Sequence, residues 1–242
     1  MGTYALRRAA AEGVTVCALE HEDGSASIAR DVRGRLIAFD PRGSPGRLDA
    51  RVGELLAAVA DVKSGALARD GLMESDHSDL RVLVGGHSYG CPTAMLACQR
   101  APRGTFAGAI LHDPAITAES QAASGGCGPH VRAQYVLGEG YAASKRISEG
   151  VARALATSAA GSEALRLRGA EHGNFVDAPL WTRWRWVMRS LPLIPAAGAV
   201  CAEDAHAAMA QGVAALARGE KSALAGDQQA RELFVPLRTA QS

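Results

Sequence analysis

Leu83-Val84-Gly85-Gly86-His87-Ser88-Tyr89-Gly90 runs from an apolar segment into Gly-x-Ser-x-Gly and then straight into helix-forming sequence. Val82, Leu83 and Val84 read as a buried strand and Pro92 to Gln99 as a helix, so the stretch predicts a strand turning sharply into a helix with a serine hydroxyl on the corner. A serine on such a bend is held in a strained conformation that tolerates no bulk beside it, and Gly86 and Gly90 meet that need. In a chain with 27 glycines among 242 residues the bare motif is a weak signal. The strand-turn-helix setting is what makes Ser88 a candidate nucleophile rather than a turn serine bonded to its own backbone.

Outward from this elbow, strand and helix patterns alternate. Tyr4 to Glu12 read as a short helix ending at Gly13, and Val14 to Leu19 as a buried strand. Arg35 to Phe39 suggest a short strand or ribbon. Leu48, Val52, Leu55, Leu56, Val59 and Val62 recur at helical spacing over about residues 47 to 62. After the elbow helix come strands at Phe106–Leu111, Val131–Leu137 and Ala164–Arg168, with helical sequence from Ala142 to about Thr157 and again from Leu180 to the C-terminus. The alternation predicts a mostly parallel, doubly wound sheet with helices on both faces, and with the elbow it predicts an α/β-hydrolase, a single domain over residues 1–242.

The formal net charge is +1 and charges of both signs are interspersed, so nothing calls for nucleic acid or an anionic membrane as a bulk electrostatic partner. Cys17, Cys91, Cys98, Cys127 and Cys201 are odd in number, widely spaced and without a Cys-x-x-Cys pair, which argues against a disulfide framework or a zinc site. The first residues contain no signal-peptide core and no apolar stretch has the length of a membrane span, so a cytoplasmic location is the default expectation.

A serine hydroxyl needs a base within hydrogen-bond reach, itself oriented by a carboxylate, and in this fold the chain order is Ser, acid, His. His21, His77 and His87 precede the serine, and His112 leaves no room for an acid before it, so His130, His172 and His206 remain. His172 lies in a glycine-bounded loop just past the last predicted strand, from where it reaches back over the sheet. His130 starts a strand and belongs at the opposite rim, and His206 lies in an alanine-rich helix. Asp113 and Glu139 each end a strand at the correct rim, and spacing alone leaves them tied. Asp177 is weaker, because it follows the histidine.

Three segments, in order, resemble the plasma-type platelet-activating factor acetylhydrolases, serine esterases of phospholipase type. Glu20-His21-Glu22-Asp23-Gly24-Ser25-Ala26 is similar to that family's loop after a Val-rich strand, Gly86-His87-Ser88-Tyr89-Gly90 to its elbow, and Gly169-Ala170-Glu171-His172-Gly173-Asn174-Phe175-Val176-Asp177 to its histidine segment. The resemblance implies an acid in the Asp-Pro segment after the elbow helix, here Asp113-Pro114, with Glu139 second. It also implies hydrolysis of short or oxidised acyl esters of phospholipids through Ser88, His172 and Asp113, without metal or organic cofactor.

That family carries, ahead of the segment matching residues 4–27, a strand whose His-Gly turn furnishes an oxyanion amide. Met1-Gly2-Thr3-Tyr4 holds at most its tail, so the expectation is a gap or unpaired edge in the sheet, with the backbone N–H of Tyr89 as oxyanion donor. Ala115-Ile116 stand where the family has an aromatic, which implies a reshaped pocket. Cys91 replaces a glycine beside the elbow, as a packing residue or as a thiol that sensitises the site. Trp181, Trp184 and Trp186 alternate with arginines, the composition of a transient lipid-surface contact or of an ordinary packed helix.

Overall fold

An alanine-rich segment that buries Ala5 and Ala9 forms the first helix, α1 (Thr3–Ala11), in the computed structural model, which describes residues 2–26, 28–31, 33–40, 46–71, 80–116, 123, 125–181, 197–220, 222 and 228–237. Gly13, at φ +86°, ends it in the left-handed conformation that glycine adopts without steric cost. A two-residue antiparallel ribbon follows, β1 (Ala29–Arg30) against β2 (Leu36–Ile37). Then come α2 (Arg47–Lys63) and the short α3 (Ala66–Arg69).

The main sheet begins at the elbow. β3 (Leu83–His87) leads into α4 (Gly90–Arg100), followed by β4 (Gly108–His112), β5 (Ala133–Leu137), α5 (Glu139–Ala143), α6 (Lys145–Ala156) and β6 (Glu163–Leu167). After a 3-10 turn at His172–Phe175 come α7 (Ala178–Trp181), α8 (Ala202–Ala217), α9 (Gln228–Leu233) and β7 (Phe234–Pro236). Strand order follows the sequence from β3 to β7. The first four strands are parallel, in registers running from Leu83 opposite Gly108 to Leu137 opposite Arg166, and β7 closes the far edge antiparallel to β6.

Apolar runs form β4 and β5 because both faces of the sheet are covered, so successive side chains are buried alternately above and below. Ala109, Leu111, Ala133, Tyr135 and Leu137 enter a core shared with α2, α4 and α6. On the other face Val136, Leu165 and Leu167 pack with Ala5 of α1 and with Ala205, Ala208 and Met209 of α8, and Ile110 packs with Ala9, Val213 and Leu216. The sheet is mostly parallel and doubly wound, as the alternation of patterns predicts.

Three elements differ from expectation. Val14–Leu19 joins no strand ladder among the described residues, although the alternation survives: Val14 and Val16 are half-buried on the cluster that also receives Leu83, while Thr15 and Cys17 are exposed. A strand is made by its ladder, and no described segment pairs with either this stretch or the outer edge of β3. A groove of about 600 Å³, lined by Leu6, Ala10, Val14 and Val16 among others, lies along α1 here. The helix expected over residues 142–157 is two helices that meet at Ser144. Phe234–Pro236 falls within sequence expected to be helical, and three residues are too few to show a period of two.

Candidate active site

Ser88 sits between the last residue of β3 and the helix that begins at Gly90, and its φ is +54°. For a residue with a Cβ this is a strained conformation, held by its surroundings. The Ser88 N–H donates to the carbonyl of His112 at 3.0 Å, and the Ser88 carbonyl accepts from Cys91 N at 3.1 Å and Ala115 N at 3.0 Å. Gly86 is required by space, since a Cβ there would lie 2.3 Å from the carbonyl carbon and oxygen of Gly90. Gly90 differs from expectation, because a Cβ at that position would meet nothing within 4 Å.

Asp113 follows β4 directly and is the second non-glycine residue at positive φ, +45°. It is fully buried, and its backbone N–H donates to Val136 O at 2.9 Å. Its Oδ1 accepts from Gly138 N at 2.7 Å, which leaves Oδ2 for His172 Nδ1 at 3.0 Å. His172 opens the 3-10 turn after β6. Buried Asn174 sets that turn: its Oδ1 accepts from Glu171 N at 2.8 Å and from Gly198 N at 2.6 Å. Ser88, Asp113 and His172 thus occupy the carboxyl-end rim of three parallel strands, where this class of sheet places its ligand crevice.

The imidazole of His172 lies between two rings. His87 is 4.4 Å away at 36° on one side, and Tyr141 stacks 4.6 Å away at 6°. Phe175 supports the arrangement from behind, 5.7 Å from His87 and 5.3 Å from His112. Burial, with the neighbouring His172 and His112, pushes His87 down to about 2. Burial, with His206 nearby, pushes His112 down to about 3. Both are therefore neutral spacers at any ordinary pH.

The Glu20–Ser25 loop is tied to α2 beside the elbow. Arg51 donates through Nε to Asp23 Oδ2 at 2.5 Å and through a terminal nitrogen to Ser25 Oγ at 2.5 Å, and its guanidinium lies 5.0 Å from the ring centre of Tyr89. Burial raises the Asp23 carboxyl, but hydrogen bonds from Arg51 and Ser25 outweigh it and hold the group below the usual carboxylate range. His21 pairs with Glu54 at 2.5 Å. The loop thus braces the residue that follows the nucleophile.

The remaining candidates lie elsewhere. Glu139 accepts from Gly169 N at 3.1 Å and faces Arg166 at 3.6 Å. Asp177 caps α1, accepting from Thr3 N at 2.6 Å and Tyr4 N at 3.0 Å. His130 is exposed, whereas His206 is buried on α8 with Nδ1 3.9 Å from Asp177. Cys91 is buried, its thiol directed at the carbonyls of Gly86 and His112 at 3.2 Å each, and burial raises it well above the ordinary thiol range. That is the packing role, since a reactive cysteine needs thiolate character and access. Tyr141 was not legible as a site residue, because its approach to His172 depends on how α5 docks against the histidine turn. The side chain of Trp181, and all of Trp184 and Trp186, lie outside the described residues.

Among the described residues no three His, Cys, Asp or Glu are grouped to hold a metal ion, and no helix is long and apolar enough to cross a membrane. No family model and no curated protein matches the chain. Among solved structures it is similar to a ferulic acid esterase from Streptomyces cinnamoneus, at a TM-score of 0.59 and 19% identity, over 87% of this chain and 62% of that one. The chain therefore spans less than two thirds of that structure's length. At this identity the likeness bears on architecture, and together with the parallel sheet and the strained serine elbow it identifies the fold as that of an α/β-hydrolase.

Proposed function

We propose that the chain is a carboxylic ester hydrolase working through Ser88, His172 and Asp113. The observation that carries this reading is the pair formed by buried Asp113 Oδ2 and His172 Nδ1 at 3.0 Å, on the same rim as a serine held at φ +54°. The carboxylate fixes the proton on Nδ1 and leaves Nε2 as the base. Ser88 Oγ attacks the ester carbonyl as its proton passes to Nε2, and the carbonyl electron pair becomes an oxyanion facing the backbone N–H of Tyr89. Collapse breaks the bond to the alcohol, which leaves with the proton from Nε2. Water, activated by the same nitrogen, then releases the acid from the acyl-serine. The cycle uses no metal and no organic cofactor.

The finer reading concerns the substrate. The three family-like segments favour short or oxidised acyl esters of phospholipids, and the pairing of Asp113 rather than Glu139 with His172 supports that resemblance. The second reading is a general short-chain carboxylesterase, favoured by the fold's likeness to a ferulic acid esterase and by Ala115-Ile116 in place of an aromatic. Hydrolysis of a water-soluble acetyl ester compared with a micellar acetyl phospholipid separates them. The phospholipid reading predicts a kcat/KM that rises above the critical micelle concentration. Equal or poorer hydrolysis of the micellar substrate selects the general esterase.

A further inference from the structure

Among the described residues Tyr141 is the one aromatic residue stacked flat on the His172 imidazole, 4.6 Å away at 6°, and its hydroxyl lies within reach of the Ser88 side chain. We propose that this hydroxyl is a catalytic hydrogen-bond donor to the oxygen that becomes negative when Ser88 attacks an ester carbonyl. The proposal rests on the reading of Ser88 as nucleophile.

The placement of the phenol is fixed by backbone contacts. α5 starts immediately after β5 and is clamped to the histidine turn by Glu139 N donating to Ala170 O at 2.6 Å and Gly140 N donating to Glu171 Oε2 at 3.2 Å. The reverse bond, Gly169 N to Glu139 Oε1 at 3.1 Å, closes the clamp. Close approach is built into the chain at Gly138, where a Cβ would lie 2.9 Å from the backbone carbonyl oxygen of Ala170. Tyr141 and His172 are therefore tied to each other through α5 and the histidine turn. A donor already in place when charge develops spends no reorganisation at the moment of reaction, which is what makes such a hydrogen bond effective in catalysis.

In the resting site the hydroxyl lies beside the Ser88 side chain. When Oγ bonds to the carbonyl carbon, the new oxyanion is attached to that same carbon, two bonds from Oγ, and the phenol directs its hydrogen bond to it. No proton leaves Tyr141: the serine proton goes to His172 Nε2, the carbonyl pair to the oxyanion, and the tyrosine O–H only donates. Burial, with the Asp113 charge behind it, raises the phenol above its ordinary range, so the group keeps its proton throughout. The flat ring also covers one face of the imidazole, where it favours the transient imidazolium.

Tyr141→Phe keeps the ring and its stack and removes only the hydroxyl; Tyr141→Met is a second variant without it. The readouts are kcat and KM for p-nitrophenyl acetate and the rate of Ser88 labelling by a fluorophosphonate. Both variants are expected to lose about 100-fold in kcat and in labelling rate, with KM within about twofold and the melting temperature of Tyr141→Phe unchanged. A Tyr141→Phe protein with wild-type kcat and labelling rate overturns the proposal and reduces Tyr141 to a packing wall, while loss of both in Ser88→Ala shows that the nucleophile reading still stands. Labelling that persists in Ser88→Ala overturns the nucleophile reading and the proposal with it.

Discussion

At the scale of single residues, the site depends on where the backbone is strained and where it is crowded. Ser88 and Asp113 are the only described non-glycine residues at positive φ, and both end a strand of the parallel sheet. Strain of this kind persists only where neighbours over-determine it, and here the carbonyl of His112 and the N–H groups of Cys91 and Ala115 do so. The two elbow glycines then predict unequal outcomes. Gly86→Ala forces a Cβ against the Gly90 backbone and is expected to cost about 1–3 kcal/mol with loss of esterase activity. Gly90→Ala adds its methyl to open space in a helix and should leave the unfolding free energy in urea unchanged or raise it by up to about 1 kcal/mol. Equal effects of the two substitutions in urea titrations would contradict this geometry. The elbow position of Ser88 and the loop position of His172 past the last parallel strand were legible in the sequence from motif and pattern. Asp113 was not separable from Glu139 by spacing, since both end adjacent strands; the family resemblance favoured Asp113, and it is Asp113 whose carboxylate meets His172 Nδ1.

Elements were legible where they were long and periodic. α2 spans Arg47–Lys63 as its helical spacing predicts, and the buried runs became β3 to β6. What failed was pairing. Val14 and Val16 keep the alternation of a strand, yet a ladder needs a partner that residue pattern alone cannot supply. The 3-10 turn carrying His172 is the element on which the proposed ester chemistry most depends, and Asn174 organises it. Asn174→Ala would leave the half-buried N–H groups of Glu171 and Gly198 without their acceptor, at a cost of about 1 kcal/mol each before any rearrangement. We expect a lower melting temperature together with a kcat reduced at least tenfold, because the imidazole is no longer held to Asp113. An Asn174→Ala enzyme with wild-type kcat would show that the turn orients His172 without this side chain.

At the scale of the whole molecule, buried neutral histidines make stability depend on pH. An unfolded histidine protonates near 6.5, whereas His112 and His87 in the folded chain resist protonation down to about 3 and about 2. Below pH 6.5 the unfolded state therefore binds more protons, and stability, fully present above 6.5, is lost progressively as pH falls toward those values. Each such group contributes a slope approaching about 1.4 kcal/mol per pH unit. Urea midpoints are expected to fall steadily between pH 7 and pH 5, and His112→Phe should flatten the slope. A midpoint independent of pH over that range would contradict the burial of these rings. The serine-based ester chemistry is tested most directly by treating the intact protein with a fluorophosphonate probe and mapping the adduct by peptide mass spectrometry. Modification confined to Ser88, abolished by Ser88→Ala and slowed at least a thousandfold in His172→Ala, is the predicted result; a folded protein that leaves Ser88 unmodified would contradict it.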